Sequence, residues 1–100
     1  MKIYDLIPDS DVLVSLALEE LAFSLLAVAS RNLQNGLVHR DTVISLDPIP
    51  GGAKHYPSNR EAEIFLALQE AFNWLEVNGF LVPAQGINGS NGFKVLSRRA

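Results

Sequence analysis

The stretch NGFLVPAQGINGSNGFKVLSRR, residues 78–99, decides how the chain is built. It opens on Asn78-Gly79, which reads as a helix stop because glycine accepts the left-handed backbone just past a last turn. The apolar runs FLVPA (80–84) and GFKVLS (92–97) read as two strands flanking the Gly/Asn-rich QGINGSNG. That connection is too long for a two-residue turn, so the expectation is a hairpin with a flexible, polar tip.

Upstream of the stop lies the clearest helical pattern. Ile64, Phe65, Leu68, Ala71, Phe72 and Leu75 recur at three- and four-residue steps, with Trp74 on one edge, and Ser58 and Glu61 have capping-box spacing. An earlier helix is predicted from about Ser15 to Asn32, with a start at Ser10 as the alternative. Its stripe is Leu18, Leu21, Ala22, Leu25, Leu26 and Ala29, with Asn35-Gly36 as its stop. The segment IPDSD (7–11) before it reads as a turn with helix-initiating residues. LVHRDTVISLDP (37–48) stays open between a short helix capped by Asp41 and a strand around Val43 and Ile44. Pro48, Pro50, Gly51 and Gly52 then predict a loop reaching Tyr56-Pro57. No internal repeat is visible. The expected fold is one α+β domain over residues 1–100, a helical bundle with a C-terminal two-stranded hairpin. Its core would be Leu21, Leu25, Leu68, Phe72, Leu75, Phe80 and Val95.

The composition narrows the setting. A hydrophobic fraction of 48% is ordinary for a globular domain, and the absence of cysteine removes disulfides and thiolate metal sites. No run approaches the ~18 apolar residues of a membrane span, and the N-terminus lacks a signal-peptide pattern. A cytoplasmic protein with no membrane partner is the expectation. The net charge of −3 is unevenly spread: residues 1–36 carry −3, residues 37–76 carry −3, and residues 77–100 carry +3 with no acid at all. Lys94, Arg98 and Arg99 therefore concentrate the positive charge on the terminal hairpin.

Catalytic signatures are weak. His39 and His55 sit on separate segments without the spacing of a zinc site, so no metal is expected. No serine lies in a nucleophile elbow. The glycines at 86, 89 and 92 precede a strand, whereas phosphate loops follow a strand and open a helix. Glu61, Glu63, Glu70 and Glu76 read as a solvated helix face rather than an acid/base pair. Phe65, Phe72, Trp74 and Phe80 read as core rather than as a base-stacking platform. No enzyme, cofactor or small-molecule substrate is expected.

The order EAFNWLEVNGFLVP…GFKVLSRR resembles winged-helix proteins, in which an aromatic-leucine helix end, a glycine and an apolar strand lead into the wing. With EELAFSLL, HRD and YPSNREAEIFLALQEAFNWLEVNGFLVP, the chain is similar to the N-terminal module of the Ymh-type family of uncharacterised bacterial and phage-associated proteins. The resemblance covers nearly everything from Ser15 onward. It implies a winged helix, a bacterial or phage setting and a downstream domain in a longer protein. It supplies no mechanism.

Two functional readings follow. In the first, the chain is a non-catalytic recognition module that docks a protein partner, a neighbouring domain or a second copy through an apolar or acidic helix surface. In the second, it binds DNA or RNA through the basic wing, with candidate contacts at Lys94, Arg98, Arg99, Asn88, Asn91 and Arg60. Four carboxylates on the helix before the wing would meet a phosphate backbone with repulsion.

Overall fold

A computed structural model of the chain describes residues 2–44 and 56–100, and the predicted 48–55 part of the loop falls outside them. Two short helices come first, α1 (Ile3–Leu6) and α2 (Ser10–Ser15). The Asp9 carboxylate caps α2 by accepting from the Asp11 and Val12 backbone N–H groups at 2.9 and 3.4 Å. The chain then breaks at Leu16 and Ala17, both extended, and α3 runs over Leu18–Arg31. The helix predicted from about Ser15 to Asn32 is α3, beginning three residues later at Leu18, while the alternative start at Ser10 is corrected to two helices. The reason is angular. At 100° per residue a straight helix would hold Leu13 about 120° from the centre of the α3 buried stripe. The break lets Leu13 turn inward, and it is fully buried.

Helix α3 ends at Arg31, where the Asn32 side-chain amide donates to the Val28 carbonyl at 2.7 Å. Asn35-Gly36, expected as the helix stop, instead forms a tight turn with both residues at positive φ, closed by paired Gln34–Leu37 backbone bonds. Strand β1 (Val38–His39) and helix α4 (Arg40–Val43) follow, so the ambiguous middle segment is a strand and then a helix. The cap of α4 is the His39 ring, not Asp41: Nδ1 accepts from the Asp41 backbone N–H at 3.1 Å.

A single 3-10 turn over Ser58–Arg60 leads into α5 (Glu61–Val77). The predicted Ser58/Glu61 capping box is absent among the described residues, because Ser58 lies within that turn and the Glu61 N–H is taken by the Ser58 backbone carbonyl. The end of α5 follows prediction closely. Gly79, at φ 78°, donates to the Glu76 carbonyl and Phe80 donates to Leu75, a Schellman closure.

Beyond it lie β2 (Leu81–Pro83), α6 (Gly86–Ser90) and β3 (Phe93–Leu96). The fold is α+β, with a three-stranded antiparallel sheet in the order β1-β3-β2. The sequence reading had two strands; β1 adds the third, pairing Val38 with Lys94 and His39 with Phe93. Pro83 sits on an edge strand, where a missing N–H breaks no ladder. The tip expected to be flexible is a helical turn. A Cβ on Gly89 would lie 2.0 Å from the Ala84 carbonyl oxygen, so this glycine permits α6 to close against the end of β2.

The core lies between α3 and α5. Leu21, Ala22, Leu25, Val28 and Ala29 face Ile64, Leu68, Ala71, Phe72 and Leu75, while Ile3, Leu13, Val43, Ile44 and Leu81 close the ends. Phe80 and Val95, predicted as core, are only partly buried, and Leu18 is exposed. Their neighbours explain this: the sheet covers the core with the Leu81 side, and Leu18 sits at the outer edge of the first α3 turn. Tyr56 is buried before α5, its hydroxyl donating to the Ile7 carbonyl at 2.6 Å. Burial above all, then the Tyr4 and Asp5 charges, holds its phenol well above the ordinary range.

Candidate functional site

The six residues proposed to touch nucleic acid do not converge. Arg60 stands at the start of α5, a 17-residue helix about 25 Å long, and the hairpin begins beyond its other end. Asn88 and Asn91 belong to the α6 tip, whereas Arg98 and Arg99 follow β3 at the base of the hairpin, where Leu96 pairs with Leu81. Lys94 lies between them on the central strand.

Most of the expected cations are already engaged. Lys94 Nζ is 3.0 Å from Glu76 Oε2, a half-buried pair linking β3 to α5. Arg60 binds Asp11 at 2.6 Å and Glu63 at 2.8 Å, and these two acceptors, Asp11 first, raise its already high pKa. The Arg99 guanidinium lies 5.0 Å from the Phe80 ring centroid, over its face. Arg98 is exposed and, among the described residues, has no acid within ion-pair distance.

Phe80 is one rung of an aromatic ladder. Trp74 stacks on it at 5.8 Å and 16°, and Phe23 of α3 meets both rings edge-on at 5.6 and 5.4 Å. Of the four rings assigned to the core, only Phe72 is fully buried; Trp74 and Phe80 are partly covered and Phe65 is exposed. The correction does not create a platform for bases, because Trp74 and Arg99 already stand over Phe80. Phe23 was missed. Its place outside the apolar stripe of α3 was the available signal, since a large ring there must find a partner at the surface.

His39, Arg40, Phe72, Glu76, Gly92 and Lys94 surround a cleft of about 260 Å³. Both His39 ring nitrogens are occupied. Nδ1 accepts from Asp41, which assigns the proton to Nε2, 3.2 Å from the Asn91 carbonyl oxygen. A Cβ on Gly92 would meet that ring at 2.9 Å. The cleft thus ties the hairpin tip to β1 and α4; Glu76 offsets Lys94, and Arg40 lies 3.7 Å from Asp41, which is not part of the lining. Among the described residues no three His, Asp or Glu side chains group as metal ligands, and His55 lies outside those residues.

The outward face of α5 differs in character. At 100° per residue Phe65, Leu66, Gln69, Asn73 and Val77 fall within an arc of about 120°. Phe65 is 42%, Leu66 57% and Val77 75% exposed. Glu76 falls within the same arc but is held by Lys94. Glu61 and Glu70 stand on opposite edges, exposed and, among the described residues, without a cation at ion-pair distance. The helix sequence Glu61–Val77 contains no Lys, Arg or His. Glu61, Glu63 and Glu70 are solvent-exposed as expected, and the arc between Glu61 and Glu70 is an apolar and amide stripe with acidic borders. Phe65, placed in the buried stripe by periodicity, belongs to this outer surface.

No helix among the described residues is long and apolar enough to cross a membrane. No protein-family model, curated protein or solved structure matches the chain.

Proposed function

We propose that this chain is a winged-helix, non-catalytic recognition module of a bacterial or phage-associated cytoplasmic protein, docking a protein partner or a neighbouring domain through the outward face of α5. The sheet order β1-β3-β2, with the last two strands forming a hairpin directly after the long helix, fits a winged helix. The similarity to the Ymh-type module belongs to the same reading. The observation that carries the function is the α5 surface: exposed Phe65, Leu66 and Val77, bordered by carboxylates, on a helix without one cation. Large apolar groups exposed along one helix face mark a contact surface, and carboxylates beside them oppose a phosphate backbone.

The second reading, DNA or RNA binding through the wing, is favoured by one observation. Arg98 is exposed beside Arg99 in a segment that contains no acid. With Lys94 and Arg60 held by Glu76, Asp11 and Glu63, however, few cations are left to displace counterions. Titration into a mixed-sequence duplex at low and moderate salt separates the two, using wild type and an Arg98→Ala/Arg99→Ala variant. The protein-docking reading expects no salt-sensitive binding. Salt-sensitive binding that the variant loses would overturn it in favour of the wing.

A further inference from the structure

The borders of the α5 stripe specify the chemistry of what covers it. We infer that its occupant is an amphipathic helical segment of another protein or domain, apolar along one face and carrying Lys or Arg on both edges of that face. The inference rests on the docking reading above and deepens it.

Three observations point the same way. The stripe offers exposed Phe65 and Leu66 near one end and Val77 at the other, with the Gln69 and Asn73 amides between them at helical spacing, a face against which a helix can lay apolar groups at both ends. Its edges carry Glu61 on one side and Glu70 on the other, neither of them compensated among the described residues. Arg60, next to Glu61 in sequence, is committed to Asp11 and Glu63, and Lys94, at the far end of α5, to Glu76. A partner with basic edges completes both borders at once.

Charge also decides against a second copy of this chain. A two-fold axis can set two α5 helices antiparallel or parallel, and each arrangement brings an acidic edge against an acidic edge. Like charges at an interface rim suppress association, whereas opposite charges steer it and fix its register. A nucleic-acid strand meets the same carboxylates with its phosphates.

The test uses three helical peptides of about 16 residues, close to the length of α5. They share one leucine stripe and differ at the edge positions, which are Lys, Gln or Glu. Each is titrated into the isotopically labelled chain and followed by backbone amide shifts. The Lys peptide is expected to bind about tenfold more tightly than the Glu peptide, with the Gln peptide between them, and with shifts centred on residues 65–77. Glu61→Gln/Glu70→Gln should remove most of that order while leaving the Gln peptide's affinity unchanged. Phe65→Ser/Leu66→Ser should weaken all three, with an unchanged thermal midpoint showing that the fold is intact. Equal affinity of the three peptides at this face would overturn the basic-edge inference and leave the docking reading standing. Absence of shifts along α5 with every peptide would overturn both, as would self-association that Leu66→Ser abolishes, since a second copy would then be the occupant.

Discussion

Helix α5 and the hairpin that follows it meet at Gly79 and present charge in opposite ways. The helix directs Glu61 and Glu70 outward beside an exposed apolar row. The hairpin, richer in formal positive charge, offsets one of its three cations and fixes another: Lys94 lies against Glu76, and Arg99, though exposed, lies over the Phe80 ring. The lesson is that formal charge by segment is a poor guide to the field a protein presents. A cation within reach of a carboxylate or an aromatic face is neutralised or fixed before any partner arrives. The −3 total understates the character of the helix, and the +3 of residues 77–100 overstates that of the hairpin.

The most forceful way to break this comparison is to remove what holds both regions in place. Phe72 is 1% exposed and packs within the α3–α5 core next to the cleft that the hairpin closes. Phe72→Ala should cost about 3–5 kcal/mol in chemical denaturation, with helix and hairpin signals lost together. A smaller, one-sided effect is expected from Gly89→Ala. The new methyl must push the Ala84 carbonyl aside, so a loss of about 1–3 kcal/mol should come with amide shifts confined to residues 84–93 and none along α5.

The smallest effect concerns the other end of α5. Tyr56 ties the start of that helix to the junction after α1 through its bond to Ile7. Tyr56→Phe should cost about 1 kcal/mol near neutral pH. Because the folded-state phenol titrates above its ordinary value of about 10, its contribution is complete below that pH and is lost as the pH rises beyond it. Wild type should therefore lose stability above about pH 10, and Tyr56→Phe should flatten that decline. Equal alkaline slopes would show that the phenol titrates alike in folded and unfolded chains.

Local regularities were readable from the sequence; agreements between distant residues were not. The apolar rows of α3 and α5 follow from periodicity, and Gly79 follows from the chemistry of helix ends. The hairpin strands 81–83 and 93–96 fall inside the predicted runs. The break at Leu16-Ala17 was hidden because Leu13 and Leu21 both look helical, and only the bundle decides that one helix cannot bury both. Strand β1 was ambiguous because two residues carry little pattern and its partner Lys94 is far along the chain. The glycine-rich tip resembled a floppy loop because the constraint on Gly89 comes from the Ala84 carbonyl, which composition does not reveal. The candidate site suffered most. Whether Lys94 or Arg60 is available depends on Glu76 and Asp11, whose proximity is a tertiary fact.

The edges of the small sheet carry a consequence of their own. On one side is β1, two residues long; on the other is β2, whose Pro83 has no N–H to donate. A visiting strand needs an unbroken row of backbone donors and acceptors to join a sheet, and among the described residues neither border supplies one. A molecule with an apolar helix face open to solvent is thereby guarded against polymerising through its main chain. Association through the described surface is left to side chains, which can discriminate between partners where a bare backbone cannot.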